Sequence, residues 1–356
     1  MEVDFAIHQA NDHPSVHIYK SDHGAQIAQL PILAFPGFWV YAYLILFENY
    51  IVLIDTGSGF GQSNQNLEDG LRLASRHFNT EVSSGNLTHI FITHGHIDHF
   101  GGLAYLRDKT TAKIGVHGLD LRNLTHTDEH IAIIARRLKT FLIEAGVERA
   151  QRESLLQLYH LIKLDYQPGP VDFTYEDRDM QIGPFEILHV PGHCAGHVLI
   201  RLHDIIFGGD HILTDISPHQ APEQLALHTG LRNYLLSLHL ARKWAPGNRL
   251  VLTGHNSPVT NLGNRIDAID TLHRKRLEKI RKMLSTPQTI AHISHALFGT
   301  VHGYNVLLAL EETGAHIEYL SQQGKIKIYN DDDLRDNHNK SPIFYQNLES
   351  DTAYKH

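Results

Sequence analysis

Cysteine is nearly absent: Cys194 is the only one in 356 residues. A single thiol builds no intramolecular disulfide framework, and it fits a chain kept in a reducing compartment. Long apolar runs are missing too, and none approaches the ~20 residues a membrane-crossing helix needs. The opening Met1-Glu2-Val3-Asp4-Phe5 lacks the basic stretch and apolar core of a secretory leader. Nor is positive charge in excess; a formal net charge of −8 leaves no global footprint for nucleic acid. These absences predict a soluble, cytoplasmic protein with no membrane partner. The length predicts one large catalytic unit plus a small appendage.

Histidine, by contrast, is abundant, with 29 residues. Most cannot be ligands: His8, His13, His17, His77, His126, His302 and His338 stand in no special context and read as surface residues. The run Thr93-His94-Gly95-His96-Ile97-Asp98-His99 is different. It follows the apolar strand-like Ile90-Phe91-Ile92 and precedes the helix-like Leu103-Ala104-Tyr105-Leu106, so it lies on a strand-to-helix turn. Three imidazoles and a carboxylate in six positions suit Zn(II) or a neighbouring metal. On a chain still extended, alternate residues share a direction, so His94 and His96 can face one ion. Asp98 and His99 can face a second, and more ligands are then required from elsewhere.

Four other apolar runs end in the same way. Phe185 to Val190 leads into Pro191-Gly192-His193, Ile205-Ile206-Phe207 into Gly208-Gly209-Asp210, and Leu250 to Thr253 into Gly254-His255. Ile51 to Ile54 leads into Asp55-Thr56-Gly57. Each is a strand, a turn-forming residue, and one side chain able to bind or orient a metal. Strands in sheets packed face to face would bring these ends to one edge. The glycines at 57, 59 and 61 do not have the spacing of a dinucleotide fingerprint, and that reading is rejected.

This ordered set of elements resembles the metallo-β-lactamase-fold hydrolase superfamily over roughly the first three-quarters of the chain. The resemblance implies an α/β protein, a four-layer αββα sandwich. It also implies one metal on His94, His96 and His193, and a second on Asp98, His99 and His255, with Asp210 bridging them. Asp55 would accept a hydrogen bond from a ligand imidazole and fix its tautomer. Two divalent cations are expected, zinc first, with iron or manganese as alternatives. The implied reaction is hydrolysis by a hydroxide bound to both metals, with Asp98 and Asp210 as the catalytic carboxylates that hold metal and shuttle a proton. Cys194 reads as a small residue packed beside a ligand rather than a nucleophile. His197 reads as structural support, and His211 is left open.

Val40 to Phe47 and Tyr50 to Ile54 form a hairpin turning at Glu48-Asn49. Phe35-Pro36-Gly37-Phe38-Trp39 is an aromatic loop, either a satellite of the core or a lip over the metals that meets an apolar part of the substrate. Residues 64 to 77 are helical. Residues from about 119 to 165 form a two-helix insertion interrupted at Gly146. Leu231 to Trp244 is an amphipathic helix covering the core, with Arg232 and Tyr234 as candidate substrate contacts. The helix from Arg265 to Leu284 is locally basic. Thr286 to Thr289 caps a helix over Ile290 to Phe298, followed by helices from Tyr304 to about Thr313 and around Ile317 to Leu320, and a hairpin-like strand at 324–329.

That last set predicts a small winged-helix-like unit at 286–330, a catalytic domain at 1–285, and a polar tail at 331–356 with a docking segment at Ile343-Phe344-Tyr345. Ester or thioester hydrolysis of a small-molecule or carrier-bound acyl substrate is the first expectation. Single-strand RNA cleavage comes second, and an iron-dependent oxidoreductase on the same ligands third. A homodimer is also considered.

Overall fold

Two alternating sets of buried side chains explain why residues 26–54 form strands. Ala28, Leu30, Ile32, Ala42, Leu44 and Leu53 pack in one cluster with Leu67, Leu71 and Ala74. Ile27, Tyr43, Ile45, Val52 and Ile54 pack in another with Ile187, Ile200, Phe207 and Leu252. A period of two with both faces buried is the pattern of a strand lying between layers.

The computed structural model describes residues 14–163, 165–336 and 341–348. A seven-stranded sheet runs in chain order: β1 (His17–Lys20), β2 (Gln26–Phe35), β3 (Phe38–Phe47), β4 (Tyr50–Ile54), β5 (His89–Phe91), β6 (Lys113–Val116) and β7 (Phe173–Thr174). It is antiparallel as far as β4 and parallel from there on. A five-stranded sheet contains β8 (Gln181–Ile182), β9 (Phe185–His189), β10 (Val198–Leu202), β11 (Ile205–Gly209) and β12 (Leu250–Thr253), in the order β12-β11-β10-β9-β8. A small third sheet pairs β13 (Ile326–Ile328) with β14 (Tyr345–Asn347).

The helices are α1 (Ser63–Phe78), α2 (Ile97–Phe100), α3 (Leu103–Leu106), α4 (Leu121–Thr125), α5 (Thr127–Glu144) and α6 (Arg149–Lys163), then α7 (Leu231–Trp244), α8 (Leu262–Met283), α9 (Ile290–Phe298), α10 (Asn305–Gln322) and α11 (Asp331–Asp336). Helix α1 covers the outer face of the large sheet, and α7 covers the second. Tyr234 of α7 lies against Gly192, and Ser237 donates to the Pro191 carbonyl at 2.7 Å. The layers therefore run helix, sheet, sheet, helix. Among the described residues no helix is long and apolar enough to cross a membrane.

Residues 14–130, 165–218 and 233–267 make one compact unit, which holds both large sheets. Residues 131–163, 219–232, 268–336 and 341–348 make another. In this second unit the insertion and the C-terminal helices share one core, in which Leu138, Phe141 and Leu142 join Ile280, Ile293, Leu310 and Ile317.

Several details differ from expectation. The Phe35–Trp39 segment is no loop but the tip of the β2–β3 hairpin, where Phe35 pairs with Phe38 around Pro36 and Gly37, the latter at φ 75°. The insertion has a third, short helix, α4. Tyr234 is fully buried, its hydroxyl on the His211 carbonyl at 3.0 Å, and so is no substrate contact. The two helices expected after Tyr304 are one, α10. Gly314 does not break it, because the Phe141 ring fills the space beside Gly314 where a side chain would stand. Strand β13 pairs with β14, around the expected docking segment, instead of turning back on itself at once. His8, His13, His338 and residues 337–340 and 349–356 lie outside the described residues.

A buried polar chain links α8 to α10. The Nδ1–H of His316 donates to the Glu312 carbonyl at 2.7 Å, so its Nε2 is the acceptor for His273 Nδ1 at 3.1 Å. Arg276 pairs with the Glu312 carboxylate, whose other oxygen takes the Gln220 N–H at 2.8 Å. Burial, then Arg276, pushes His273 down to about 3, and burial lowers His316 as well. Both rings are therefore folded in the neutral form. Below pH ~6.5 the unfolded chain binds a proton at His273 that the folded chain refuses, so falling pH favours unfolding. The stability gap between wild type and His273→Gln should accordingly narrow by about 1.4 kcal/mol per pH unit between pH 6.5 and 5, as read by urea unfolding. A gap constant across that range would contradict a neutral buried His273.

Candidate metal centre

Strands β4, β5, β9, β11 and β12 each hand over, just past their C-terminal ends, to a residue at one edge of the sandwich. There His94, His96 and His193 present one donor atom each within 4.8 Å of one another. Asp98, His99, Asp210 and His255 form a second such group. All seven predicted site residues thus come together. His94 and His99 have no exposure at all, and His193, Asp210 and His255 are buried.

The two groups meet at Asp210. Its Oδ2 lies 3.8 Å from His193 Nε2 and 4.0 Å from His94 Nε2, and 3.2 Å from His255 Nε2. Its Oδ1 lies 3.4 Å from His99 Nε2, and Asp98 Oδ2 is 3.5 Å from both His99 and His255. His94 Nε2 and His96 Nδ1 stand 3.1 Å apart. Donors about 2.1 Å from a tetrahedral cation are about 3.4 Å from each other, so these separations suit such an ion. His99 Nε2 and Asp210 Oδ1 are buried without a hydrogen bond, a state that a cation would relieve.

Charge separates the two groups. Burial holds His94 and His96 well below the ordinary imidazole value, and neighbouring imidazoles add to the effect. They are neutral nitrogen donors. At His99 and His255 burial again opposes the charged form, but Asp210 and Asp98 outweigh it. His99 rises well above its usual value and His255 to about 10. Burial would raise Asp98, yet His99 and His255 bring it to about 2. This second group draws positive charge.

Three of the imidazoles are oriented from behind. Asp55 Oδ2 accepts from His99 Nδ1 at 2.8 Å, and Asp55 also takes the Thr93 N–H and hydroxyl, each at 2.8 Å. Because the Thr93 hydroxyl donates to Asp55, its oxygen accepts the His94 Nδ1–H at 3.1 Å and leaves Nε2 bare toward the cluster. His255 Nδ1 donates to the Trp39 carbonyl at 2.8 Å. His197 joins neither group. Its Nε2 accepts the Asp210 backbone N–H at 3.1 Å, and its ring stacks on His94. His211 is buried outside both groups, and burial, then His193, pushes it down to about 3. Cys194 is buried and its thiol pushed well up by burial, which leaves no thiolate to attack a substrate.

The orienting roles of Thr93 and of the Trp39 carbonyl are not legible in the sequence. Thr93 stands inside the motif but carries no spacing signal, and a carbonyl carries none. His17, His77, His126 and His302 are exposed, as expected.

Gly254 closes the site. A Cβ there would lie 2.2 Å from Asp210 Oδ1 and 2.8 Å from His99 Cε1. Gly254→Ala should therefore destabilise the fold by ~1–3 kcal/mol in denaturant unfolding. Gly263→Ala, where a Cβ meets only Asn261 Oδ1 at 3.6 Å, should be neutral or stabilising. Equal effects would mean that the packing around Gly254 is looser than these distances.

The metallo-beta-lactamase superfamily model matches residues 37–295. A probable metallo-hydrolase of Bacillus subtilis, YqjP, is 25% identical over 293 residues, covering 78% of this chain and 87% of that one. The hydroxyacylglutathione hydrolase GloC of Haemophilus influenzae is 27% identical over 185 residues, 49% of this chain and 71% of its own. Among solved structures, a metallo-beta-lactamase family protein of Thermus thermophilus matches with a TM-score of 0.68 at 23% identity, over 90% of this chain and 98% of its own. A beta-lactamase domain protein of Burkholderia ambifaria matches at 0.70 and 19%, over 95% and 97%. The strand ends, the layers and the family match agree: the chain belongs to the metallo-beta-lactamase superfamily and is a hydrolase enzyme of that fold.

Proposed function

We propose that the chain hydrolyses thioesters of small or carrier-bound acyl groups with the help of two divalent cations. His94, His96 and His193 would hold one, and Asp98, His99 and His255 the other, with Asp210 between them. Zinc suits this nitrogen and oxygen set, and iron or manganese would also be accepted. The observation that carries the reading is Asp210 Oδ2 within 4.0 Å of imidazoles from both groups. When bound, two such cations supply a water acidified toward neutrality and a polarised scissile carbonyl.

The chain's own residues do the rest. Asp55, Thr93 and the Trp39 carbonyl set the tautomers and directions of the imidazoles. Asp98 and Asp210 are the carboxylates that hold or pass a proton, and Asp98 is the less buried of the two. Phe38 packs 4.7 Å from the His255 ring, and Phe35, Phe60 and Tyr166 continue a run of aromatic contacts away from it. That run supports a substrate whose acyl portion is apolar. GloC, a hydrolase of hydroxyacylglutathione, supports a thioester as the scissile group and a small thiol as the carrier.

An RNA substrate is less well supported. Two arginines of the basic helix α8 are spent internally, Arg265 on the Leu213 and Ile216 carbonyls and Arg276 on Glu312.

A screen of the metal-loaded protein against acyl-thioesters, aryl esters, lactones and single-stranded RNA should give turnover of thioesters with little dependence on salt. Preference for RNA with steep salt dependence would overturn the reading. His96→Ala and Asp210→Ala should each abolish turnover while circular dichroism shows the fold retained; activity in either variant would dismiss the site. Phe38→Ala should raise KM roughly tenfold for thioesters with apolar acyl groups and change acetyl thioesters less.

A further inference from the structure

We propose that Asp120 is a positioning residue that clamps together the two turns bearing His94, His96 and His193. This rests on the reading that these imidazoles hold a cation. Asp120 follows β6 in the turn His117-Gly118-Leu119-Asp120 and has no exposure. Its Oδ2 accepts the Gly95 N–H at 2.7 Å, and Gly95 is the residue between His94 and His96. Its Oδ1 accepts the Gly196 N–H at 2.9 Å and faces the Cys194 thiol at 3.5 Å, within the loop that carries His193. One buried carboxylate thus ties both turns of the three-imidazole group, and only that group.

The fit is close on both sides. A Cβ at Gly95 would lie 3.1 Å from the Asp120 carboxyl carbon, and one at Gly196 would lie 2.7 Å from it. Glycine at both places lets the two backbones approach one carboxylate, whose three donors are all neutral groups. Asp120 has no contact with the donor atoms themselves. It acts through the backbone, by fixing where the imidazoles of two separate loops point. Hydrogen bonds to charged acceptors are among the stronger ones, so two loops held this way keep their spacing when no ion is bound.

The test titrates Co(II) into chelator-stripped full-length protein and follows the visible absorption of each bound ion, with circular dichroism on the same samples. Wild type should take up two ions. Asp120→Asn keeps the size of the side chain but puts an amide N–H against one of the two turns. It should bind one of the two ions about 10–100-fold more weakly and the other nearly as wild type. Its hydrolytic activity should recover when metal is raised while circular dichroism stays at the wild-type signal throughout, which separates weaker metal binding from loss of fold.

Gly196→Ala pushes on the same contact from the other side and should show the same selective loss; it decides the matter if Asp120→Asn does not fold. Two ions bound with wild-type affinity in the folded variant, or both weakened equally, would overturn the role of Asp120. Failure of wild type to bind Co(II) would instead overturn the metal reading itself.

Discussion

Two carboxylates, Asp98 and Asp210, are brought beside the same pair of imidazoles, His99 and His255, at a place largely closed to water. Charges of one sign so close together are tolerated only when positive charge lies among them and rigid surroundings prevent escape. The rigidity comes from the sandwich. The core between the two sheets, with Tyr43, Ile54, Phe91, Phe207 and Leu252, ends just short of the donors, so each side chain leaves a strand that cannot shift without disturbing that core. The edge where the strands finish is thus the part of the unit where chemistry costs least in packing.

Behind the donors stand backbone and carboxylate groups that hold imidazoles or the turns that carry them. Asp55 reads two neighbours at once, since the carboxylate that holds His99 also holds the threonine beside His94. The Trp39 carbonyl fixes His255 from β3, the strand on which Phe38 begins the aromatic run. Under the proposed function the ion and the acyl group would both be held from one strand, β3. A change in the hairpin tip would be felt on both sides of the reaction.

Much of this is legible in the sequence alone, because the site follows a simple grammar of apolar run, turn residue and donor. That grammar picks out all seven side chains that gather at the edge, and the same periodicity gives the hairpin of Val40 to Phe47 with Tyr50 to Ile54 and the helices α1, α7 and α9. It fails where tertiary contacts decide. The stretch between Thr313 and Ile317 reads as a break, yet Phe141 stands where Gly314 has no side chain and α10 runs through. Tyr234 reads as amphipathic and reachable, yet the hydroxyl finds a buried carbonyl. Asp120 lies in a stretch that reads as the start of a helical insertion, and nothing nearby in sequence announces that its partners are 25 and 76 residues away. Carboxylates that serve backbone amides across such distances leave no local pattern.

The short pairing of β13 with β14 bears on how the chain is made. Gln288 and Tyr345 exchange backbone hydrogen bonds, Ile343 donates to Glu144, and the Asn347 side chain reaches the Arg281 carbonyl. During synthesis, helices α5 and α6 emerge from the ribosome long before the residues that complete their surroundings. Their apolar faces gain the rest of their core only once α8, α9, α10 and β14 have been translated. The last strand of the two sheets that bear the donors ends at Thr253. Vectorial growth thus favours an order in which the catalytic half matures first and the helical half last.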